Sequence, residues 1–141
     1  MNQSLRASEK KLEEYELWRT ASQVATAAYA ELDEFPEEEK WGMSFRLRGR
    51  AFDMTTALAE AYGSIDPRDK MHSFGKARES MFGLKNSFLM AHKTNILSLD
   101  PSIMMQLNDS ISAVNKEIAK QQKNIPNYLA QFEASEKKER L

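Results

Sequence analysis

The sequence contains no cysteine and few residues that break regular structure. Of its 141 residues, 5 are glycine and 4 are proline. The absence of cysteine excludes disulfides, thiolate catalysis and cysteine-ligated metal sites, and it is typical of proteins in the reducing cytosol. The scarcity of glycine and proline indicates few turns and long elements. A chain of this length is expected to form one domain around one core.

Long apolar runs and catalytic motifs are also missing. No run of 18 apolar residues occurs, so the sequence predicts no transmembrane helix. The polar segment from Met1 to Glu14 lacks the apolar core of a secretory signal, so we expect a cytoplasmic protein. There is no glycine-rich phosphate loop, no G-x-S-x-G and no H-E-x-x-H.

The two histidines, His72 and His92, lie about 30 Å apart along one predicted helix, which is too far for them to share a metal ion. We therefore expect no catalytic residues, no metal, no cofactor and no small-molecule substrate.

Positive and negative charges nearly cancel, but they are unevenly distributed along the chain. The net charge is −1. Residues 1–41 contain 5 basic and 10 acidic side chains, residues 42–95 contain 9 and 5, and residues 96–141 contain 6 of each. The basic middle either attracts a neighbouring acidic helix or presents a surface to phosphate, and both interpretations stay open.

Four prolines divide the chain into long helical stretches. Asp66-Pro67 and Asp100-Pro101 each combine a capping aspartate with proline at the first helical position. Pro36, followed by three glutamates, predicts a weaker helix start, and Gly63-Ser64 is typical of a helix end.

These signals predict an all-α, antiparallel, up-and-down four-helix bundle over residues 1–126. The first helix is expected from Leu5 to Glu34 and the fourth from Pro101 to Asn124. Pro126 is expected to end the fourth helix, leaving residues 127–141 as a charged tail or a short helix.

Apolar residues recur every three or four positions, as a buried bundle face requires. The predicted core residues are Leu17, Trp18, Ala21, Val24, Ala25, Ala28, Leu32 and Phe35 in the first helix; Met43, Leu47, Ala51, Met54, Leu58 and Ala61 in the second; Phe74, Met81, Leu84, Phe88 and Ala91 in the third; and Met104, Leu107, Ile111, Val114 and Ile118 in the fourth.

The two middle helices carry a second apolar line each. A monomeric bundle needs only one apolar stripe per helix, so the extra lines are candidates for an oligomer interface. The candidate interface residues are Phe45, Phe52, Phe82, Leu89 and Ile96. The alternatives are a wide core stripe or a tail that folds back over the patch.

The basic residues of the middle helices are candidates for nucleic-acid binding. Arg46 and Arg50 lie one turn apart, and Arg78 and Lys85 are seven residues apart. A basic flank of this kind can follow a phosphate backbone without reading sequence. The full candidate set is Arg46, Arg48, Arg50, Arg68, Lys70, Lys76, Arg78, Lys85 and Lys93. The alternative is that these side chains are solvated or paired with Asp53, Glu60 and Glu79.

The segment FPEEEKWGMSFRLRGRAF, from Phe35 to Phe52, resembles a motif of one four-helix bundle family. The matching positions are Phe35, Pro36, Glu39, Trp41, Gly42, Met43, Leu47, Arg48 and Ala51. The family includes proteins encoded in intervening sequences of large-subunit (23S) ribosomal RNA genes and the accessory variability determinant (Avd) proteins of diversity-generating retroelements. The stretches Ala57 to Tyr62 and Lys76 to Ser98 are more similar to the Avd branch, although the Gly-Gly-Trp of its C-terminal pattern is replaced here by Ile118-Ala119-Lys120-Gln121.

The resemblance implies a homopentameric barrel of four-helix bundles without a catalytic site. In the Avd branch it also implies a basic surface that engages RNA or DNA and a reverse transcriptase during mutagenic copying. The contact residues implied by position are Arg46, Arg48, Arg50, Arg78 and Lys85. The ribosomal branch implies the same shape, here an oligomeric protein-interaction scaffold without nucleic-acid binding.

Overall fold

The described part of the chain contains helices and no strands, and its four long helices pack together. The structure, a computed structural model, describes residues 11–39 and 42–140, with side chains through residue 137. The helices are α1 (Glu16–Glu31), α2 (Met43–Gly63), α3 (Pro67–Lys93) and α4 (Pro101–Arg140). Helix α2 packs against α1 and α3, and α4 packs against α3 and α1. No helix in the described ranges has both the length and the apolarity of a membrane span.

Helix α1 is shorter than the sequence predicts. Residues 11–14 are helical, but Tyr15 has extended backbone angles (φ −68°, ψ 110°) and separates them from α1. The Tyr15 ring packs on the ring of Tyr62, in the last turn of α2, with centroids 5.0 Å apart. The predicted first turns from Leu5 fall outside the described residues.

The connection from α1 to α2 corrects the predicted start at Pro36. A 3₁₀ turn spans Leu32–Glu34, and Phe35 is extended with ψ 137°, the conformation that a following proline favours. Pro36 precedes only a second 3₁₀ turn, Glu37–Glu39, and α2 begins at Met43. Phe35 is buried and anchors this connection in the core.

The two Asp-Pro helix starts are confirmed. The Asp66 carboxylate accepts a hydrogen bond from the Arg68 backbone N–H at 2.8 Å, with Pro67 at the first helical position. The Asp100 carboxylate accepts one from the Ser102 N–H, also at 2.8 Å. The predicted end of α2 at Gly63 is confirmed as well.

The sequence predicted that α4 ends before Pro126. Instead, α4 continues through Pro126 to Arg140. Its 40 residues span about 60 Å, against about 40 Å for the 27 residues of α3. The side chains from Leu129 to Lys137 are exposed. Residues 127–140 are therefore a helical extension of α4. Pro126 has no N–H to donate to the carbonyl of Gln122, and Gln122 lies on an exposed turn of the helix.

The predicted core stripes are confirmed. Buried positions follow the three-and-four spacing in every helix, and partly buried Met43, Met104 and Ile118 pack at the margin. The completely buried side chains include Val24, Leu47, Met54, Leu58, Met81, Leu84, Leu107 and Val114. Many of the buried positions are alanine or serine, which lets the helices approach closely.

Candidate nucleic-acid and self-association surface

Helix α2 carries two large aromatic residues on its outer side. Phe45 and Phe52 are 62% and 61% exposed, whereas Leu47 and Met54 on the opposite side are completely buried. Phe82 of α3 is 43% exposed. We call Phe45 and Phe52 the aromatic ridge. Large apolar rings exposed to water on a helical bundle are typical of an interaction surface.

The other two candidate interface residues are less accessible. Leu89 is half-buried on α3. Ile96 lies beyond the end of α3, where its backbone N–H donates to the Ala91 carbonyl at 2.9 Å, and its side chain packs against the core. The spacing that puts Ile96 on the α3 line requires a continuous helix, but α3 ends at Lys93 and Asn95 adopts a left-handed φ of 61°.

The arginines of α2 are exposed and unpaired. The guanidinium groups of Arg46, Arg48 and Arg50 form neither hydrogen bonds nor ion pairs with any residue in the described ranges. Arg46 and Arg50 border a groove of about 370 Å³ between α2 and α3. Phe45, Gly49, Asp53, Gly83, Asn86 and Ser87 complete its lining. Arg48 lies on the other side of α2, about 160° around the helix from each of them.

The Arg50 side chain lies close to the backbone of Gly83 on α3. A Cβ at position 83 would be 2.7 Å from the Arg50 Nε and 2.8 Å from its Cδ, too close for either atom. The guanidinium stem of Arg50 therefore crosses α3 over the backbone of Gly83. Sequence reasoning missed this residue, and its signal was an isolated glycine inside a helix.

Arg78 and Lys85 belong to a different part of the surface. The Arg78 Nε donates to the Asn115 side-chain oxygen at 2.8 Å, and the Lys85 Nζ donates to that of Asn108 at 2.9 Å. Both partners are on α4, so this pair lies on the α4 side of α3, whereas Arg50 approaches from the α2 side. The Arg78 guanidinium also lies 5.0 Å from the centroid of the Phe82 ring, a cation–π contact.

Three other candidates are engaged within the chain. Arg68 pairs with Asp66 at 2.7 Å, and Lys76 pairs with Glu60 at 2.6 Å. The hydrogen bond from Arg68 holds the pKa of the Asp66 carboxyl below its usual value.

The Lys70 Nζ donates to the Ala61 carbonyl at 2.7 Å, and burial lowers its pKa. This ammonium stabilises the C-terminal end of α2. Lys93 is exposed at the end of α3. The nine candidates therefore do not form one continuous surface.

A second groove of about 450 Å³ lies between α1 and α4. Its lining includes Glu16, Asp109, Lys116, Glu117 and Ser110, and the buried Ser110 hydroxyl has no hydrogen-bond partner among the described residues. No pattern in the sequence predicts this groove. Within the described residues, no group of histidine and carboxylate side chains is suited to hold a metal ion.

Comparison with known proteins adds no family to this geometry. No family model matches the chain, and no curated protein matches it. The resemblance to the four-helix bundle proteins thus depends on the motif residues alone, and the function has to be argued from the surface of α2 and α3.

Proposed function

We propose that this chain is a non-enzymatic, cytoplasmic accessory protein of a diversity-generating retroelement that binds RNA or DNA and a reverse transcriptase. The observation that carries the proposal is the set of unpaired arginines on α2, two of which border the groove beside an exposed phenylalanine. The assignment to a retroelement and its reverse transcriptase depends on the resemblance of the motifs to the Avd branch.

The groove suits a phosphodiester backbone. Guanidinium groups bind phosphate through two parallel hydrogen bonds, and Arg46 and Arg50 are free to offer them. The Phe45 ring at the groove edge offers a face on which an unpaired base can stack. Asp53 opposes part of this charge, so the groove is moderately basic and contacts few phosphates.

Fluorescence anisotropy with labelled RNA, both single-stranded and structured, tests the proposal. We expect binding that weakens as salt rises, and a loss of binding in the Arg46→Glu, Arg50→Glu double variant. Loss of two phosphate contacts lowers the slope of log affinity against log salt by about 1.4 for a single strand. Arg19→Glu with Lys123→Glu is the matched control, because it makes the same charge change on the exposed surfaces of α1 and α4. Equal affinities of the two double variants would contradict the proposal.

The alternative function is a protein-interaction scaffold of the ribosomal intervening-sequence type, without nucleic-acid binding. The aromatic ridge favours it, because exposed rings are typical of protein interfaces. Absence of RNA binding at low salt, with the reverse transcriptase present, together with capture of a protein partner that is lost on Phe52→Glu, would favour the scaffold over the lead proposal.

Self-association belongs to both candidates. The resemblance implies a ring of five subunits, whose mass would be about 81 kDa from 16.2 kDa per chain. A two-fold dimer is the second candidate form. Light scattering distinguishes the two masses directly.

A further inference from the structure

We propose that the groove between α1 and α4 binds an arginine side chain of a protein partner. Each of the two candidate functions includes a protein partner, but neither assigns a role to this groove. Binding here requires neither nucleic acid nor a particular number of subunits.

The α1–α4 groove lies on the side of the bundle opposite the candidate nucleic-acid groove. Helix α1 packs against α2 and α4, and α3 packs against the same two helices, so the α1–α4 pair is opposite the α2–α3 pair. The volume of the groove is about 450 Å³, within the range of ligand-binding pockets. Its lining residues are Glu16, Leu17, Thr20, Asp109, Ser110, Ala113, Lys116 and Glu117. A ligand held here leaves Arg46 and Arg50 free.

The charge of this groove is negative and unpaired. The carboxylates of Glu16, Asp109 and Glu117 outnumber the single ammonium of Lys116, which gives a net charge of −2. None of these four groups forms an ion pair or a hydrogen bond with a described residue. The charge of Glu117 acts on its surroundings, because it adds to the burial that raises the pKa of Tyr15 to about 12. The groove therefore favours a cation.

A pocket of about 270 Å³ between α2 and α3 contains the same kinds of charged residue but differs in their pairing. Its lining includes Asp53, Glu60, Lys76 and Glu79. There Lys76 forms an ion pair with Glu60 at 2.6 Å, so part of the charge is neutralised within the chain. Among the described residues, Lys116 forms no such pair in the α1–α4 groove. The α2–α3 pocket is therefore a control for the charge of the α1–α4 groove.

Ser110 provides a second and independent indication of a ligand. The residue lines the groove and is 3% exposed, and its hydroxyl has no hydrogen-bond partner among the described residues. Other helical hydroxyl groups donate to a carbonyl one turn earlier, as Thr26 does to Ser22 and Ser87 does to Gly83. A buried polar group without a partner is costly, so we expect Ser110 to have a partner that the chain does not supply.

Arginine suits this set of groups better than other cations do. Carboxylates only accept hydrogen bonds, and the Ser110 hydroxyl oxygen can also accept, so the ligand has to supply donors. A guanidinium has five N–H donors in one plane and can bond to two acceptors at once, whereas an ammonium is a compact point charge. Leu17 and Ala113 offer apolar surface to the arginine methylenes. Arginine is enriched at protein interfaces, which is why a protein segment is the source we propose.

Saturation-transfer NMR with the pentapeptide acetyl-Gly-Ala-Arg-Ala-Gly-amide tests the site in the full chain. The counterpart with citrulline in place of arginine is the matched control ligand, because citrulline keeps the shape of arginine and lacks its charge. We expect the citrulline peptide to bind at least about tenfold more weakly than the arginine peptide. No binding of the arginine peptide at several millimolar, or equal binding of the two peptides, would overturn the proposal. Tighter binding of spermidine than of the arginine peptide would also overturn it, since the groove would then be a polyamine site.

Two pairs of neutralising substitutions locate the binding. Asp109→Asn with Glu117→Gln should weaken binding of the arginine peptide at least about tenfold. Asp53→Asn with Glu79→Gln makes the same charge change at the α2–α3 pocket, leaves the ion pair of that pocket intact and should change the affinity by less than about twofold. Equal effects of the two double variants would overturn the proposal. The samples contain no nucleic acid, so the result is independent of the proposed nucleic-acid binding.

Ser110→Ala separates binding from folding. The variant should bind the arginine peptide about fivefold more weakly, because the ligand loses one hydrogen-bond partner. Its thermal midpoint should not fall, because the hydroxyl has no partner to lose among the described residues. A lower midpoint with unchanged affinity would assign Ser110 to the fold and overturn its role in the site.

Discussion

Replacing Pro126 with alanine tests the continuation of α4, the largest departure from the fold that the sequence predicted. Proline inside a helix is about 3 kcal/mol less favourable than alanine, because it lacks an N–H and crowds the preceding turn. Side chains from Leu129 to Lys137 are exposed, so little packing compensates for this cost. We therefore expect residues 127–140 to open separately from the bundle, and Pro126→Ala to slow amide exchange there by up to roughly a hundredfold.

Hydrogen exchange resolved by residue or short peptide measures this effect, and urea unfolding provides the comparison. The urea midpoint should change little, because the completely buried residues of α4, such as Leu107 and Val114, lie before the proline. Ala130→Pro is the matched opposite change on the same exposed helix and should speed exchange beyond residue 130. If residues 129–137 exchange at unprotected rates in both the native chain and Pro126→Ala, the helix ends at the proline in solution and the sequence-based expectation was right.

Three further predictions concern stability. Leu107→Ala should lower the free energy of unfolding by about 3–5 kcal/mol in urea titration, because the side chain is completely buried; a loss below 1 kcal/mol would contradict this packing. Burial, and secondarily Glu117, raises the pKa of Tyr15 to about 12. The unfolded chain therefore ionises first, and stability falls between about pH 10 and 12, by no more than about 1 kcal/mol for a half-exposed ring. This loss should be absent in Tyr15→Phe. Asn95→Gly should stabilise the fold by up to about 1 kcal/mol in thermal unfolding, since glycine accepts the left-handed φ of 61° without strain, and Asn95→Val should destabilise it.

The core and the helix starts were predictable because their signals are local. Leu47, Met54 and Leu58 repeat at helical spacing, and burial follows from that spacing. Asp66 and Asp100 cap helices whose first residues are their immediate neighbours in sequence. Each of these predictions needed only a few adjacent residues, and each is confirmed.

Helix boundaries set by distant contacts were not predictable. The interruption at Tyr15 coincides with a ring contact to Tyr62, 47 positions later in the chain. At Pro126, local propensity favours a helix end, yet the helix continues. Local sequence predicts the conformational preference of a residue, but tertiary packing can override that preference.

The candidate surface divides in the same way. Exposure of Phe45 and Phe52 followed from their position opposite the core stripe, which periodicity alone supplies. The separation of Arg78 from Arg50 could not be predicted from periodicity, because it depends on the hydrogen bond from Arg78 to Asn115 of α4. The charge distribution along the sequence predicted one basic surface that contains both arginines. The packing of the helices places them on opposite sides of α3.

Two glycines show what the structure adds to the functional argument. In the sequence, Gly49 and Gly83 are equivalent, each an isolated glycine in a helical pattern with a helix-propensity cost of about 1 kcal/mol relative to alanine. In the structure, the Arg50 side chain lies over Gly83, so a Cβ at that position would force the arginine to shift. Among the described residues, no contact offsets the cost at Gly49, where alanine should stabilise an isolated monomer. If Gly49→Ala instead leaves stability unchanged or lowers it at concentrations where the chain self-associates, and raises it on dilution, the compensating contact lies in a second molecule.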